Sequence, residues 1–274
     1  MLSVNTNAGA LIALQNLNAT TAEMTQTQSR VSTGKAISTP KDNGAIWAIA
    51  QNERAQVSSL DAVKNSLNRG SSIVDVSMSA GQSVSDLLNQ MKAKALSASD
   101  VSLDTSSRQA LSADFTALRD QIAKVVQNAS FDGANLLDGS QASLSFLANA
   151  AGSSLMTIQG QNMSLGGSIV TVTAAATLST ATMASNLLSV VQASIVNVNG
   201  ALARMGTSSN ALTLQTTSVL DLQDTLTTGI GNLVDANLAK ESANLQALQT
   251  KQQLGIQALS IANQAPQTIL SLFK

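Results

Sequence analysis

Among its 274 residues the chain has no cysteine, histidine or tyrosine, and only two prolines. Each absence removes chemistry. Without Cys and His the usual zinc, haem and iron–sulfur ligand sets are missing. A Cys nucleophile and a His general base are ruled out, leaving only carboxylate or Lys chemistry open. A disulfide framework is excluded, although the lack of Cys does not fix the compartment. Charge is scarce as well: Asp, Glu, Lys and Arg make up 11% of the chain, against roughly 25% in ordinary soluble domains. The net charge of −1 gives no reason to expect nucleic acid or a polybasic membrane contact. No run reaches the ~18 unbroken apolar residues of a membrane span. The opening MLSVNTNAGALIALQNLN lacks a basic start, and Asn and Gln interrupt its apolar run. It therefore does not read as a cleavable signal, and export would use another route.

What the chain has is 44% hydrophobic residues, enough for a sizeable core in one or two domains. Their distribution is uneven. Met1 to Ala22 carries no charged residue, and neither does Gln252 to Phe273. Both segments show apolar residues at three- and four-residue steps, the mark of a helix face. Residues 6–33 read as one helix, with Leu11, Leu14, Leu17, Met24 and Val31 as its seam and Thr21 and Gln28 between. The last helix runs from about Val234 to Leu272. One seam position holds Leu238, Leu245, Gln252, Leu259 and Phe273, and the other holds Leu248, Gly255, Ala262 and Ile269. Uncharged polar groups lose less on desolvation than ions do. Two neutral helices therefore suit pairing with each other and burial in an assembly of identical copies.

Between the ends the pattern predicts helices over 43–99 and about 103–126, with a turn between Asp100 and Asp104. Gly34 and Pro40 mark a boundary after the first helix. Ser140 to Ala203 is a third charge-free block. Its first half is rich in Gly, Ser and Thr, and Leu144–Phe146, Met156–Ile158 and Ile169–Val172 suggest short strands with a Gly166-Gly167 turn. Helix resumes near Thr180 to about Arg204 and again over 211–228, before a break at Gly229-Ile-Gly231. The fold class is thus mainly α, a long helical bundle with paired terminal coiled-coil helices and a β-hairpin region over about 141–175. The domain division expected is 1–40 with 233–274, and 41–232.

No constellation calls for catalysis. Asp86, Asp100 and Asp104, or Asp221 and Asp224, lie near helical spacing and could in principle do acid–base work. Solvated faces and helix caps account for them as simply. Lys92 and Lys94 read the same way, Trp47 reads as packing, and no glycine pair matches a phosphate loop. No cofactor and no metal site is expected.

At this point the motifs resemble those of bacterial flagellin. Val4-Asn-Thr-Asn7 with Ala10-Leu11 and Asn16-Leu17 is similar to the family's start. Arg30-Val-Ser-Thr-Gly34-Lys35 followed by Lys41-Asp42-Asn43-Gly44-Ala45 resembles its loop after the first helix. Phe131-Asp-Gly-Ala-Asn135-Leu-Leu137 resembles its Phe-Asn-Gly element, with Asp for Asn. The end is similar over Asp235-Ala-Asn237, Gln252-Gln-Leu-Gly255 and Ala262-Asn-Gln-Ala-Pro266-Gln-Thr-Ile-Leu-Ser-Leu272. The short length and Gly44-Ala-Ile-Trp47 look like the compact alphaproteobacterial members, without room for large outer domains.

The resemblance implies a self-assembling subunit of an extracellular helical filament that transmits motor torque, not an enzyme. Its terminal helices would line the filament core. Its partners would be its own copies and other flagellins, the flagellar secretion apparatus, an export chaperone, the filament cap and hook-junction proteins. A hook–filament junction protein is a nearby alternative, and a secreted helical translocator acting on membranes a more distant one. The family also includes members recognised by an innate immune receptor. The matching stretch here departs from their pattern: Gln90 replaces an Arg, and Ala93-Lys94 stands where Glu-Leu is found. Asp114 keeps an acidic position. The hydroxyl-rich neutral middle offers Ser153, Ser154, Thr171, Thr173, Thr177, Ser179 and Thr180 as candidate O-glycosylation sites. If they carry sugars, the intact mass of native protein will exceed the 28.0 kDa of the polypeptide; an unshifted mass would refute the modification.

Overall fold

The computed structural model describes the backbone of residues 6–271 and the side chains of 6–264. Phe273 lies outside the described residues, and so does the Ile269 side chain. The described elements are α1 (Ala8–Thr33), α2 (Gly44–Ala98), α3 (Thr105–Asn128), β1 (Ser130–Phe131), β2 (Ala134–Asn135), β3 (Ser143–Leu147), β4 (Leu155–Gln159), α4 (Ala181–Val234) and α5 (Leu238–Ser271). Two compact units divide the chain: Met1–Ala55 with Thr225–Lys274, and Gln56–Asp224. The mainly α class with a small β region is the one the sequence indicated.

The unit of residues 56–224 is organised by α2. From Leu60, buried positions at 63, 67, 70, 74, 77, 81, 84, 88, 91, 95 and 98 form an unbroken 3-4 alternation, with Ile73 buried beside it. This is the heptad seam of a coiled coil. Gly70, Ser77 and Gly81 interrupt its run of apolar side chains. Each does so for a reason. A Cβ on Gly70 would stand 3.0 Å from the Phe146 ring, and one on Gly81 would stand 2.8 Å from Leu202 Cδ2. Both glycines are holes that receive a knob from another element. Ser77 is fully buried, and its hydroxyl is satisfied by donating to Ile73 O at 2.7 Å.

Helix α3 faces this seam with Phe115, Ile122 and Val126. Two arginines share its buried face, a role for which the apolar periodicity gave no sign. The Arg108 guanidinium donates to the carbonyls of Ala98, Asp100 and Leu103, closing the exposed end of α2 and the turn after it. Arg119 donates to Ala176 O at 3.0 Å and to Asp120 Oδ1 at 2.7 Å, fastening an irregular segment to α3. The turn itself follows the capping expected of Asp100 and Asp104: Asp104 Oδ1 accepts from Ser107 N at 2.9 Å.

After α3 the chain reverses in a two-residue hairpin. Asp132 (φ 50°) and Gly133 (φ 74°) both take left-handed backbone, as a type I′ turn requires. The buried Asn135 then ties the reversal to the helix. Its Nδ2 donates to Val126 O at 2.8 Å, while its Oδ1 accepts from Leu137 N at 2.8 Å. Leu136 and Leu137 are fully buried behind it. β3 pairs antiparallel with β4, Phe146 opposite Met156 and Leu144 opposite Ile158. Phe146 and Ile158 turn inward and Ser145 and Thr157 outward.

Three expectations need correction. Ile169–Val172 is not a strand, so the hairpin occupies 143–159 and not the whole of 141–175. Val170 and Val172 are fully buried, but Thr171 N donates to the Ser194 hydroxyl of α4 and not to a strand partner. Helix α4 is continuous across 204–211. It is also unbroken at Gly229 and Gly231. A helical glycine costs about 1 kcal/mol relative to alanine, and burial of Ile230 and Val234 on either side offsets it. One 18-residue window of α4 is long and apolar enough, at mean hydropathy 1.3, to cross a membrane. Its Val191, Ile195 and Val198 are buried within the bundle.

Three carboxylates tie loops to helix starts, and their hydrogen bonds hold each below the ordinary carboxylate pKa. Asp42 is lowered first by the N–H of Thr39 and then by that of Ser38. Asp100 is lowered by the N–H of Ser102, and Asp104 by the hydroxyl and N–H of Ser107. A depressed folded-state pKa gives stability that is complete above the unfolded value, about 3.9, and is lost as pH falls through the folded values. Thermal unfolding followed by circular dichroism should therefore show a constant midpoint from about pH 7 to about pH 5, then a decline below about pH 4. Asp104→Asn should flatten part of that decline, and a midpoint already falling near neutrality would contradict this account.

Candidate assembly site

Helices α1 and α5 pair antiparallel within the unit of residues 1–55 and 225–274. Their register is set at four levels. Asn7 caps α1, its Oδ1 accepting from Ala10 N at 3.1 Å, and its Nδ2 donates across to Ala262 O of α5 at 2.7 Å. Further along, Leu17 packs over Gly255, where a Cβ would come within 3.3 Å of Leu17 Cδ1. Arg30 Nη1 then faces Glu241 Oε1 at 3.6 Å. Finally the connectors after α1 and before α5 pair as an isolated bridge between Lys35 and Asp235. There Ala36 N donates to Val234 O and Ala236 N to Gly34 O.

The Arg30–Glu241 contact is the only ion pair in this seam among the described residues. Both charges suit their own helix. Arg30 lies in the last turn of α1, where the dipole is negative, and Glu241 in the first turn of α5, where it is positive. Antiparallel pairing brings these two ends together, so each side chain answers its helix and its partner at once. Glu241 is buried and Arg30 about one-third exposed. The Arg30 Nε is buried without a hydrogen-bond partner, which leaves the guanidinium incompletely satisfied. α1 ends on Gly34 in left-handed backbone (φ 70°), as the glycine there suggested. Asn237 starts α5 by accepting from Lys240 N at 3.1 Å. Asp42 Oδ2 gathers the N–H and hydroxyl of both Ser38 and Thr39, which shapes the loop between α1 and α2.

The structure brings together most of the sequence-predicted seam. Leu17, Met24 and Val31 of α1, and Leu245, Leu248 and Leu259 of α5, face the pairing side and are partly buried. The intervening α1 positions are not those expected. Thr20 and Thr27 are buried where Thr21 and Gln28 were placed, a shift of one residue. The Thr20 hydroxyl donates to Asn16 O at 2.9 Å, which lets a polar side chain sit in the seam. Leu11, Leu14 and Leu238 do not enter this seam and remain exposed. Glu241 stands at a seam position, one heptad before Leu248, that was not expected from the sequence. That spacing was its signal.

Along one flank of the hairpin runs an open groove of about 620 Å³. Gly9, Ala13, Gly255 and Ala258 form its floor, and Ile12 and Leu254 stand exposed at its walls. With Ile256 and Ile261 also exposed, the unit leaves much apolar surface open. Contiguous exposed apolar surface marks an interaction site.

The other predicted residues lie in the unit of residues 56–224. Gln90 is exposed on α2, and Lys94 Nζ meets Asp114 Oδ2 of α3 at 2.7 Å. The acidic position is thus occupied by the very cation that sets this stretch apart. Of the candidate glycan acceptors, Ser153, Ser154, Thr173, Thr177, Ser179 and Thr180 are exposed. Thr180 caps α4 by accepting from Met183 N at 3.2 Å. Thr171 is a correction: its hydroxyl is engaged with Val190 O and Ser194 Oγ, half-buried against α4.

With this geometry in view, the chain matches known proteins along its length. Residues 4–142 match the bacterial flagellin N-terminal helical region, and residues 188–273 the C-terminal helical region. It is 54% identical over 272 residues to flagellin FljM of Caulobacter vibrioides, covering 99% of this chain and 98% of that one. It is 33% identical to a flagellin of Brucella melitensis, with full coverage of both chains. Among solved structures it resembles Bacillus cereus flagellin (TM-score 0.50, 19% identity, 57% of this chain and 88% of that one). It also resembles a Vibrio parahaemolyticus structure assigned as a flagellar hook-associated protein (TM-score 0.60, 14% identity, 71% of this chain and all of that one). At these identities the solved structures speak for the fold alone.

Glu241→Gln removes the charge and keeps the shape, leaving Arg30 without its counter-ion. The loss should be about 1–3 kcal/mol, between the values for exposed and buried pairs. Hydrogen–deuterium exchange should report faster exchange in α1 and α5 and unchanged protection over residues 60–126. Unchanged α1 and α5 protection would show that the pair does not hold the register.

Proposed function

This chain belongs to the bacterial flagellin family, and from that premise we propose how it acts. It is a structural subunit of the flagellar filament. Its partners in the filament are copies of itself and other flagellins, and its place of work is the extracellular flagellum. The reading assigns residues 1–40 and 233–274 to the filament core and 41–232 to the surrounding shell. Subunits pass through the flagellar secretion apparatus with an export chaperone, and assemble between hook-junction proteins and the cap. The subunit does mechanical work: interlocked apolar seams stiffen the tube so that motor torque passes along it. It performs no catalysis in this reading.

The observation that carries the proposal is the α1–α5 hairpin. It carries few charges, is internally registered, and is flanked by apolar side chains that stay exposed among the described residues. Burying such side chains between copies is worth about 25 cal/mol per Å² of apolar surface. Seam residues Leu17, Met24, Val31, Leu245, Leu248 and Leu259 hold the pair together. Leu11, Leu14 and Leu238 are left for contacts between subunits.

Two further parts of the reading concern the shell. Receptor binding of the kind known for other flagellins is lost here, because Gln90 offers no guanidinium and Lys94 neutralises Asp114. O-linked sugars are assigned to the exposed hydroxyls of Ser153, Ser154, Thr173, Thr177, Ser179 and Thr180, excluding Thr171.

Electron microscopy of the purified protein under polymerising conditions should show filaments. Removal of Gln252–Lys274 should abolish them while the unit of residues 56–224 keeps its helical circular dichroism; full-length filaments from the truncated chain would overturn the mechanism. A cell-based assay of the innate flagellin receptor should give a response at least about tenfold weaker than a recognised flagellin, the effect of losing roughly 1.4 kcal/mol of contact. Full-strength activation would sink the receptor reading.

A further inference from the structure

The flank of the α1–α5 hairpin opposite the groove carries an apolar ridge. At about 100° per residue, Leu11 and Leu14 lie roughly 140–160° around α1 from Asn16, which lines the groove. On α5, Ile256 lies roughly 160° around from Leu254 at the groove wall. All three are exposed, at 58%, 43% and 54%. Leu14 and Ile256 also lie near one axial level, with Leu11 one turn further along α1. Leu17 packs over Gly255, so Ile256 and Leu14 follow that contact in the same direction on the two antiparallel helices. One element therefore presents a groove with a floor of glycine and alanine on one flank, and a ridge of branched apolar side chains on the other.

Resting on the filament reading above, we propose that the Leu11–Leu14–Ile256 ridge of one copy seats in the groove of the next. The groove admits few other occupants. Gly9, Ala13, Gly255 and Ala258 leave room for branched side chains. No charge lines the groove except Glu23 and Lys251, so an ionic partner would lose hydration along the rest of its length without gaining a counter-ion. The ridge is uncharged and apolar, and every copy carries it. Because groove and ridge lie on opposite flanks, the contact is heterologous: each copy accepts one neighbour and offers itself to another. Such a contact propagates into rings or helical arrays and does not stop at a two-fold dimer.

The absence of cysteine allows a direct test. Leu14→Cys on the ridge and Ala258→Cys on the groove floor are doped together, as minority subunits, into wild-type protein, which sets the lattice. After polymerisation and mild copper oxidation, dimers joining one ridge cysteine to one groove cysteine should form, since a disulfide requires Cα atoms within about 7 Å. Neither variant doped alone should cross-link. In intact filaments, ridge–ridge dimers or no dimers would overturn the pairing while leaving the filament reading in place. Wild-type protein that never polymerises would overturn both. As a second measurement, Ala258→Met fills the groove. It should keep the monomer's helical signal and raise the concentration needed for polymerisation by about tenfold or more. Polymerisation at the wild-type concentration would equally overturn the pairing.

Discussion

The antiparallel pairing of α1 with α5 is the constraint on which the rest depends. It joins the two ends of the sequence, residues more than 250 apart in the case of Asn7 and Ala262. A contact of such separation carries a large loop-closure cost. Apolar burial alone does not specify it, because Leu and Ile tolerate sliding. Register comes from features that do not slide: a capping Asn that also donates across the seam, a glycine that admits one leucine, one ion pair, and a bridge between connectors. The ion pair is placed where antiparallel geometry makes the two helix dipoles and the two side chains agree. Few charges are needed because the few present sit where they fix position.

The unit of residues 56–224 solves a different problem with the same means. A heptad seam nearly forty residues long on α2 has to accept a third helix, a hairpin and an irregular segment. It does so by giving up side chains at chosen positions. Gly70 admits Phe146 of β3 and Gly81 admits Leu202 of α4, so a strand and a further helix both dock into this seam. The irregular segment is then held by side-chain hydrogen bonds rather than by a β ladder. Arg119 reaches Ala176 O, and Ser194 receives Thr171 N. Buried main-chain groups must find partners, and here polar side chains of α3 and α4 provide them.

Low charge acquires a meaning from both units. In the terminal helices it permits burial on more than one side, since few ions have to be desolvated when copies meet. In the middle block the exposed Ser and Thr residues hydrate the surface in place of ions. Neutrality in the first case serves packing, and in the second it leaves a surface of hydroxyls in contact with water.

The sequence by itself determined the mainly helical class, the terminal helices and the end of the first at Gly34, the turn at Asp100–Asp104, the two short stretches that form β3 and β4, and the family. These are local or periodic signals: a 3-4 spacing, a capping side chain, a two-residue alternation, a run of motif residues. Only the tertiary structure decided which face of α1 meets α5, that Glu241 and Arg30 belong to that seam, that α4 passes unbroken through Gly229 and Gly231, and that Ile169–Val172 has no strand partner. Each of these depends on a group distant in sequence. Thr20 rather than Thr21 is buried because α5 lies on that side, and Gly231 stays helical because Val234 and Ile230 are packed. A periodicity counts apolar residues along one chain segment. It cannot count a threonine that satisfies its own hydroxyl, an arginine satisfied by carbonyls, or a glycine whose missing side chain is the space another residue fills.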